Sequence, residues 1–183
     1  MTYLPWLKTH RGIGIIHVAI AIVLLMRVAA VAQDVTEPAL KAAFIYNFAK
    51  FTEWPDAAPP AASVVLCVIG DAAVGDALGQ IVKGRALGGH SLAVALVAPE
   101  GPQRACQVLY VSGITARQAT QVVAGLRDVP VLTISDLDGF TQLGGIAQLF
   151  FDHGRLRFSV ERASATRARL QISSRLLALA TTK

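Results

Sequence analysis

VVLCVIGDAAVGDALGQIV, residues 64 to 82, decides the fold class. Val64 to Ile69 is a continuous apolar run, the pattern of a strand buried on both faces. Gly70-Asp71 breaks it, and Ala73 to Val82 suits a short helix. A doubly buried strand running into a helix is the repeating piece of an α/β sheet, in which helices cover both sides.

Outward from this unit the alternation continues. Gly84 and Gly88-Gly89 mark turns, Leu92 to Val97 reads as a second strand ending at Pro99 to Pro102, and Val108 to Val111 as a third. Thr115 to Leu126 reads as a helix capped by Ser112 or Thr115. Val129 to Ile134 is a fourth strand with Pro130 at its beginning, where a missing donor is tolerable. Ile146 to Phe151 and Leu156 to Val160 flank Asp152-His153-Gly154-Arg155, a hairpin signal. Ala163 to Ala180 closes the chain as helix, with a break near Ile172-Ser173-Ser174. Upstream, Thr36-Glu37-Pro38 starts a helix that should stop at Trp54, since Pro55 pushes the residue before it out of the helical region. Asp56 to Ala62 (DAAPPAA) is a linker. The expectation is one α/β domain over 33–183: a mixed β-sheet, helices on both faces, and a C-terminal hairpin plus helix.

The first 32 residues are set apart by composition. Lys8 and Arg11 precede a 15-residue apolar run, Gly12 to Met26, interrupted only by His17, and Ala30-Val31-Ala32 is a small-residue cleavage site. Together these read as a cleaved secretory signal peptide, residues 1–32, and predict a periplasmic protein. The alternative is a retained anchor with Arg27 as a stop, but a spanning helix needs about 20 apolar residues. Lys8, Arg11 and Arg27 leave with the leader, so the formal charge of +5 becomes +2. Nucleic acid is therefore a poor partner for the mature chain.

Cys67 and Cys106 are the only cysteines. An even count in an oxidising compartment favours a disulfide, with two free buried thiols as the alternative. Their separation rules out a C-x-x-C redox motif.

Chemistry-bearing motifs fail one by one. Gly70 to Asp76 sits where a phosphate loop would, but Asp76 and Ala77 stand where Lys and Ser or Thr are needed. His90 and His153 lie in predicted turns without partners at metal-ligand spacing, so no metal is expected. Ser173-Ser174 lacks the glycines of a nucleophile elbow. No acid–base constellation is visible, so no catalytic residue is assigned and no cofactor is implied. One weaker arrangement remains: if the strands ending at Ile69, Val111 and Ile134 run parallel, they bring Asp71, Ser112, Ser135 and Asp136 to the edge where open α/β sheets bind ligands. That makes a small-ligand-binding module the second reading. Six arginines and Lys183 against Asp152 and Glu161 give residues 152–183 a net charge of +5, suited to an acidic partner or simply to a solvated face.

Helix one raises its own question. Advancing 100° per residue from Phe44 keeps Leu40, Phe48 and Phe51 within about 40°, while Asn47 falls near −60°, on the side expected to be apolar. An amide there costs on the order of 1–3 kcal/mol unless satisfied. Two roles follow: bonding backbone groups of a neighbouring element to dock the helix, or contacting a partner in a groove.

The stretch Leu40-Lys41-Ala42-Ala43-Phe44-Ile45-Tyr46-Asn47-Phe48-Ala49-Lys50-Phe51 with Trp54-Pro55 resembles the opening signature of YfiR-like periplasmic proteins. Leu170 to Ala180 (LQISSRLLALA) is similar to that family's closing helix, and Cys67, Cys106 and Pro130 to Asp136 fall where the family has equivalents. Some relatives carry four cysteines where this chain has one pair. The hairpin's second strand usually leads into Asn, whereas Phe158-Ser159-Val160 here runs into Glu161. The resemblance covers about residues 38 to 181 and makes Asn47, Phe51, Trp54 and Pro55 signature positions. It implies a non-catalytic regulator that restrains an inner-membrane diguanylate cyclase through that enzyme's periplasmic sensor domain. It also implies an outer-membrane lipoprotein as a sequestering partner, and a homodimer.

Overall fold

The computed structural model describes residues 35–55 and 63–181. The expected signal peptide and the DAAPPAA linker lie outside the described residues. Among those described, no helix is long and apolar enough to cross a membrane.

The elements in chain order are α1 (Glu37–Lys50), β1 (Thr52–Glu53), β2 (Ser63–Ile69), α2 (Ala72–Val82), β3 (Ala86–Leu87), β4 (His90–Leu96), a 3-10 turn (Gln103–Ala105) and β5 (Val108–Val111). Then come α3 (Ala116–Gly125), β6 (Leu132–Ser135), β7 (Ala147–Asp152), β8 (Arg155–Val160), α4 (Arg162–Arg167), β9 (Gln171–Ile172) and α5 (Ser174–Leu177). Seven strands form one sheet in the order β3-β4-β2-β5-β6-β7-β8, and β1 pairs with β9 in a separate two-stranded sheet. The five central strands are parallel; β3 and β8 are antiparallel at the two edges. The mixed α/β sheet of the sequence reading is present, with β7–β8 as the C-terminal hairpin.

Strand alternation explains why the central strands read as unbroken apolar runs. Leu66 and Val68 of β2, Val108 and Tyr110 of β5, and Leu132 and Ile134 of β6 face α1 and α2 in one buried cluster. Their neighbours Cys67, Ile69, Leu109 and Val111 join Ala119 and Val122 of α3 in a second cluster on the other face. The Cys67–Cys106 disulfide, with Cα atoms 5.9 Å apart, lies in that second cluster.

Three details differ from the sequence expectation. Helix α1 ends at Lys50, not Trp54, because the Thr52 hydroxyl donates to Phe48 O at 2.8 Å and satisfies a terminal carbonyl. Thr52 and Glu53 are thereby free to pair with Ile172, which the sequence reading placed at a break in the closing helix, and with Gln171, which it placed inside that helix. The expected closing helix is in fact α4, β9 and α5. Its break comes at Arg169, at φ 57°, where Arg169 N and Leu170 N donate to Thr166 O and Ala165 O. That is a Schellman ending with arginine in the place glycine usually takes, so no glycine announced it.

The third difference concerns the face of α1. Its buried residues are Lys41, Ala42, Ile45, Phe48 and Ala49. At 100° per residue that face is centred about 100° from Phe44, near Ile45, which turns Asn47 to the solvent side. Asn47 is exposed, and its Nδ2 donates to Ala43 O one turn back at 3.0 Å. Among the described residues the amide bonds its own helix and no neighbouring element, which is at odds with the docking role expected above. The error came from weighting the large residues: two alanines and a lysine belong to the buried face with Ile45 and Phe48.

Candidate functional site

Strands β2, β5 and β6 end in step, with Ile69 opposite Val111 and Val111 opposite Ser135. The turns that follow carry Gly70-Asp71, Ser112 and Asp136 along one edge of the sheet. Gly70 holds φ 85°, and a Cβ there would lie 1.9 Å from Ser112 O, so the first two turns nest only because residue 70 has no side chain.

Helix α1 delivers a group to this edge that the sequence reading did not assign. Lys41 Nζ lies 2.7 Å from Asp136 Oδ2 and 2.5 Å from Glu37 Oε1, and its side chain is only 9% accessible. Burial alone would lower the lysine pKa, but hydrogen bonds and charge attraction from Asp136 and Glu37 override it, and the value is raised. Burial likewise pulls Asp136 upward, yet hydrogen bonding from Lys41 and Ser112 and the lysine charge hold it below the usual carboxylate range. Tyr110, fully buried in β5 beneath this pair, is pushed well above the ordinary phenol range, first by burial and then by the Asp136 charge. Its hydroxyl interacts with Ser112 and Asp136 without reaching an ordinary hydrogen-bond geometry.

Of the four strand-end residues, Ser112 and Asp136 come together here. Asp71 turns to cap α2, with Oδ1 accepting from Val74 N at 3.1 Å. Ser135 is buried on the opposite face of its strand, where Oγ donates to Val111 O at 2.6 Å and accepts from Leu137 N at 3.0 Å. The edge that was expected to receive a ligand is thus filled by the chain's own lysine. A carboxylate held ionised and a phenol held neutral are poorly placed for proton transfer near neutrality, where general acid–base groups need intermediate pKa values. What the cluster does is clamp α1 to the sheet. The sequence signal for it was slight: Lys41 stands four residues after Glu37, which reads as a surface ion pair.

The signature residues cluster at the other end of α1. Phe51 is half-buried under Lys50, whose Nζ lies 5.8 Å from the ring centre. Trp54 and Pro55 are half-buried, and the indole N–H of Trp54 is enclosed without a hydrogen-bond partner among the described residues. His90 and His153 are exposed, the latter 2.8 Å from Asp152. A cavity of about 130 Å³ opens at the start of β6, away from the Lys41 cluster, among Arg127, Thr133, Ser164 and Arg167. One of its arginines is already engaged, Arg167 Nη2 donating to Ser164 Oγ at 2.8 Å.

Residues 38–181 match the model of the DUF4154 family, described as YfiR/HmsC-like. That span is well over half of the 183-residue chain, and the chain belongs to this family. No curated protein matches it. At the level of the family, membership supports a periplasmic regulator of diguanylate cyclase activity that acts by regulation and not by catalysis.

Proposed function

We propose that this chain is exported behind a signal peptide of residues 1–32, and that its mature domain, from residue 33, binds and restrains the periplasmic sensor domain of an inner-membrane signalling enzyme such as a diguanylate cyclase. The observation that carries this reading is the family match over 38–181. The fold supports it in two further ways. A disulfide between Cys67 and Cys106 suits an oxidising compartment. The strand-end edge, where a small ligand would be sought first, is occupied by Lys41, which favours protein contact over ligand capture. An outer-membrane lipoprotein that sequesters the regulator belongs to the same proposal.

Restraint by binding requires a preference for the inactive form of the sensor; equal affinity for both forms shifts nothing. The partner-facing chemistry is basic. Arg155, Arg157, Arg162, Arg167, Arg169 and Arg175 are all exposed, while Asp152 pairs with Arg157 at 3.5 Å and Glu161 caps α4. An acidic surface on the sensor domain would be steered toward these arginines, with an on-rate that falls as salt rises.

The test is expression of the full chain beside a candidate membrane cyclase, with cyclic-di-GMP measured with and without it and affinity capture from the membrane extract. Lower cyclic-di-GMP together with capture of the cyclase supports the reading. Unchanged nucleotide levels and no captured sensor, alongside a thermal shift with a metabolite, would transfer the case to the ligand-binding alternative.

A further inference from the structure

Two kinds of surface meet in the cavity at the start of β6. Val123, Leu126, Val131, Leu143 and Ile146 make part of its lining apolar. Arg127, Asp128, Thr133, Ser164 and Arg167 make the rest polar. Arg127, Asp128 and Arg167 are exposed, while Thr133 and Ser164 are only 4% and 5% accessible.

The polar part carries an excess of donors. Among the described residues both buried hydroxyls act as acceptors: Thr133 Oγ1 accepts from Ile146 N at 3.0 Å, and Ser164 Oγ accepts from Arg167 Nη2 at 2.8 Å. A hydroxyl can also donate, and neither proton is given to another described residue. Arg127 has no ion pair or side-chain hydrogen bond among the described residues. Arg167 keeps most of its five N–H groups after bonding Ser164. The carbonyls closing α3 beside the cavity are already engaged. Val123 O accepts from Leu126 N, Ala124 O from Arg127 N, Leu126 O from Val129 N, and Gly125 O from Arg104 Nη2. A helix C-terminus repels anions through such carbonyls, and here each has its own donor. Asp128 alone opposes the trend, and among the described residues it pairs with neither arginine.

We infer that this cavity binds a small organic carboxylate, its head group on the Thr133 and Ser164 hydroxyls and the two guanidinium groups, its short hydrocarbon body against the apolar lining. A guanidinium fork matches a carboxylate in plane and spacing. An apolar cavity of about 150 Å³ holds benzene, so a volume of about 130 Å³ suits a ligand of about six non-hydrogen atoms. Inorganic phosphate would meet the donors but set charge against the apolar residues. The site lies away from the edge that Lys41 fills, and it stands whether or not the chain restrains a cyclase.

Isothermal titration calorimetry at constant ionic strength, on protein purified after expression of the full chain, tests this with butyrate, uncharged butyramide and inorganic phosphate. Butyrate should bind saturably with a Kd of ~1 mM or tighter, and roughly tenfold or more tightly than the other two. Arg127→Met removes an exposed guanidinium that nothing described in the chain engages, so the domain stays folded while butyrate affinity falls roughly tenfold or more. Asp128→Asn keeps a residue that tolerates φ 63° and removes the opposing charge, so affinity should rise by about twofold to fivefold. A purely structural role for Asp128 would not tighten binding. Circular dichroism checks that each variant is folded; if Arg127→Met is not, Asp128→Asn decides. No saturable heat with butyrate up to ~20 mM overturns the inference. Butyramide or phosphate binding as tightly as butyrate, or butyrate affinity unchanged in folded Arg127→Met, does so equally.

Discussion

Removing Lys41 should destabilise the domain more than removing its partner Asp136, and the structure says why. In Lys41→Met the Asp136 carboxylate, whose side chain is 21% accessible, loses its cation while remaining above the buried Tyr110. In Asp136→Asn the lysine keeps Glu37 at 2.5 Å. Breaking a fully buried pair costs about 3–5 kcal/mol; with Asp136 partly solvated, about 3 kcal/mol is expected for Lys41→Met and about 1–2 kcal/mol for Asp136→Asn. For a domain of this size the former lowers Tm by roughly 6–12 °C. The double variant Lys41→Met/Asp136→Asn should lose less than the sum of the singles, since neither charge is then stranded. Urea denaturation at pH 7 with the disulfide intact reads all three. Additive losses, or an Asp136→Asn loss equal to or larger than that of Lys41→Met, would refute the clamp. The pH dependence follows from the same pair. The Asp136 pKa is lowered on folding, so its contribution is present above the unfolded carboxylate value and is lost as pH falls through the folded one. The Lys41 pKa is raised, so its contribution is present below the unfolded lysine value and is lost as pH rises through the folded one. Lys41→Met should therefore flatten the stability profile at both ends.

Further outcomes test other parts of the fold. Cys67→Ser with Cys106→Ser opens a loop whose ends are 39 residues apart and should cost about 4 kcal/mol in the chain-entropy model, read as the difference in urea midpoint from the oxidised parent. Asn47→Leu should change stability by less than about 0.5 kcal/mol, because the residue is exposed; a loss above about 1 kcal/mol in thermal denaturation would contradict its solvent-side placement. Gly70→Ala should cost more than about 2 kcal/mol, since it strains a backbone at φ 85° and drives a Cβ into Ser112 O, and loss of the cooperative near-ultraviolet transition would report it.

Most of the sheet was legible because buried parallel strands leave an unmistakable trace: VVLCVI and VLYV are apolar on both faces, and their turns are punctuated by Gly70 and Gly113. The disulfide was legible from cysteine count and expected compartment together. What stayed hidden depended on partners far away in sequence. Thr52 and Glu53 look like helix until Gln171 and Ile172 are brought beside them, and Arg169 takes a left-handed conformation that its residue type does not announce, with the next residue, Leu170, buried. The Lys41 cluster was hidden for the same reason. A lysine between Leu40 and Ala42 looks solvated until Asp136, 95 residues on, arrives to meet it.

The small β1–β9 pairing has a consequence for how the chain matures. Ser173 N donates to Phe51 O at 2.9 Å, just beyond the Thr52–Ile172 step, so the first described helix is buckled to residues far downstream in the chain. A nascent chain emerging from its amino end carries α1 for most of its synthesis with this fastening absent. Contacts so distant along the chain form late and slowly. If the chain is exported as proposed, such a delay keeps the strap open while the polypeptide is still unfolded for passage.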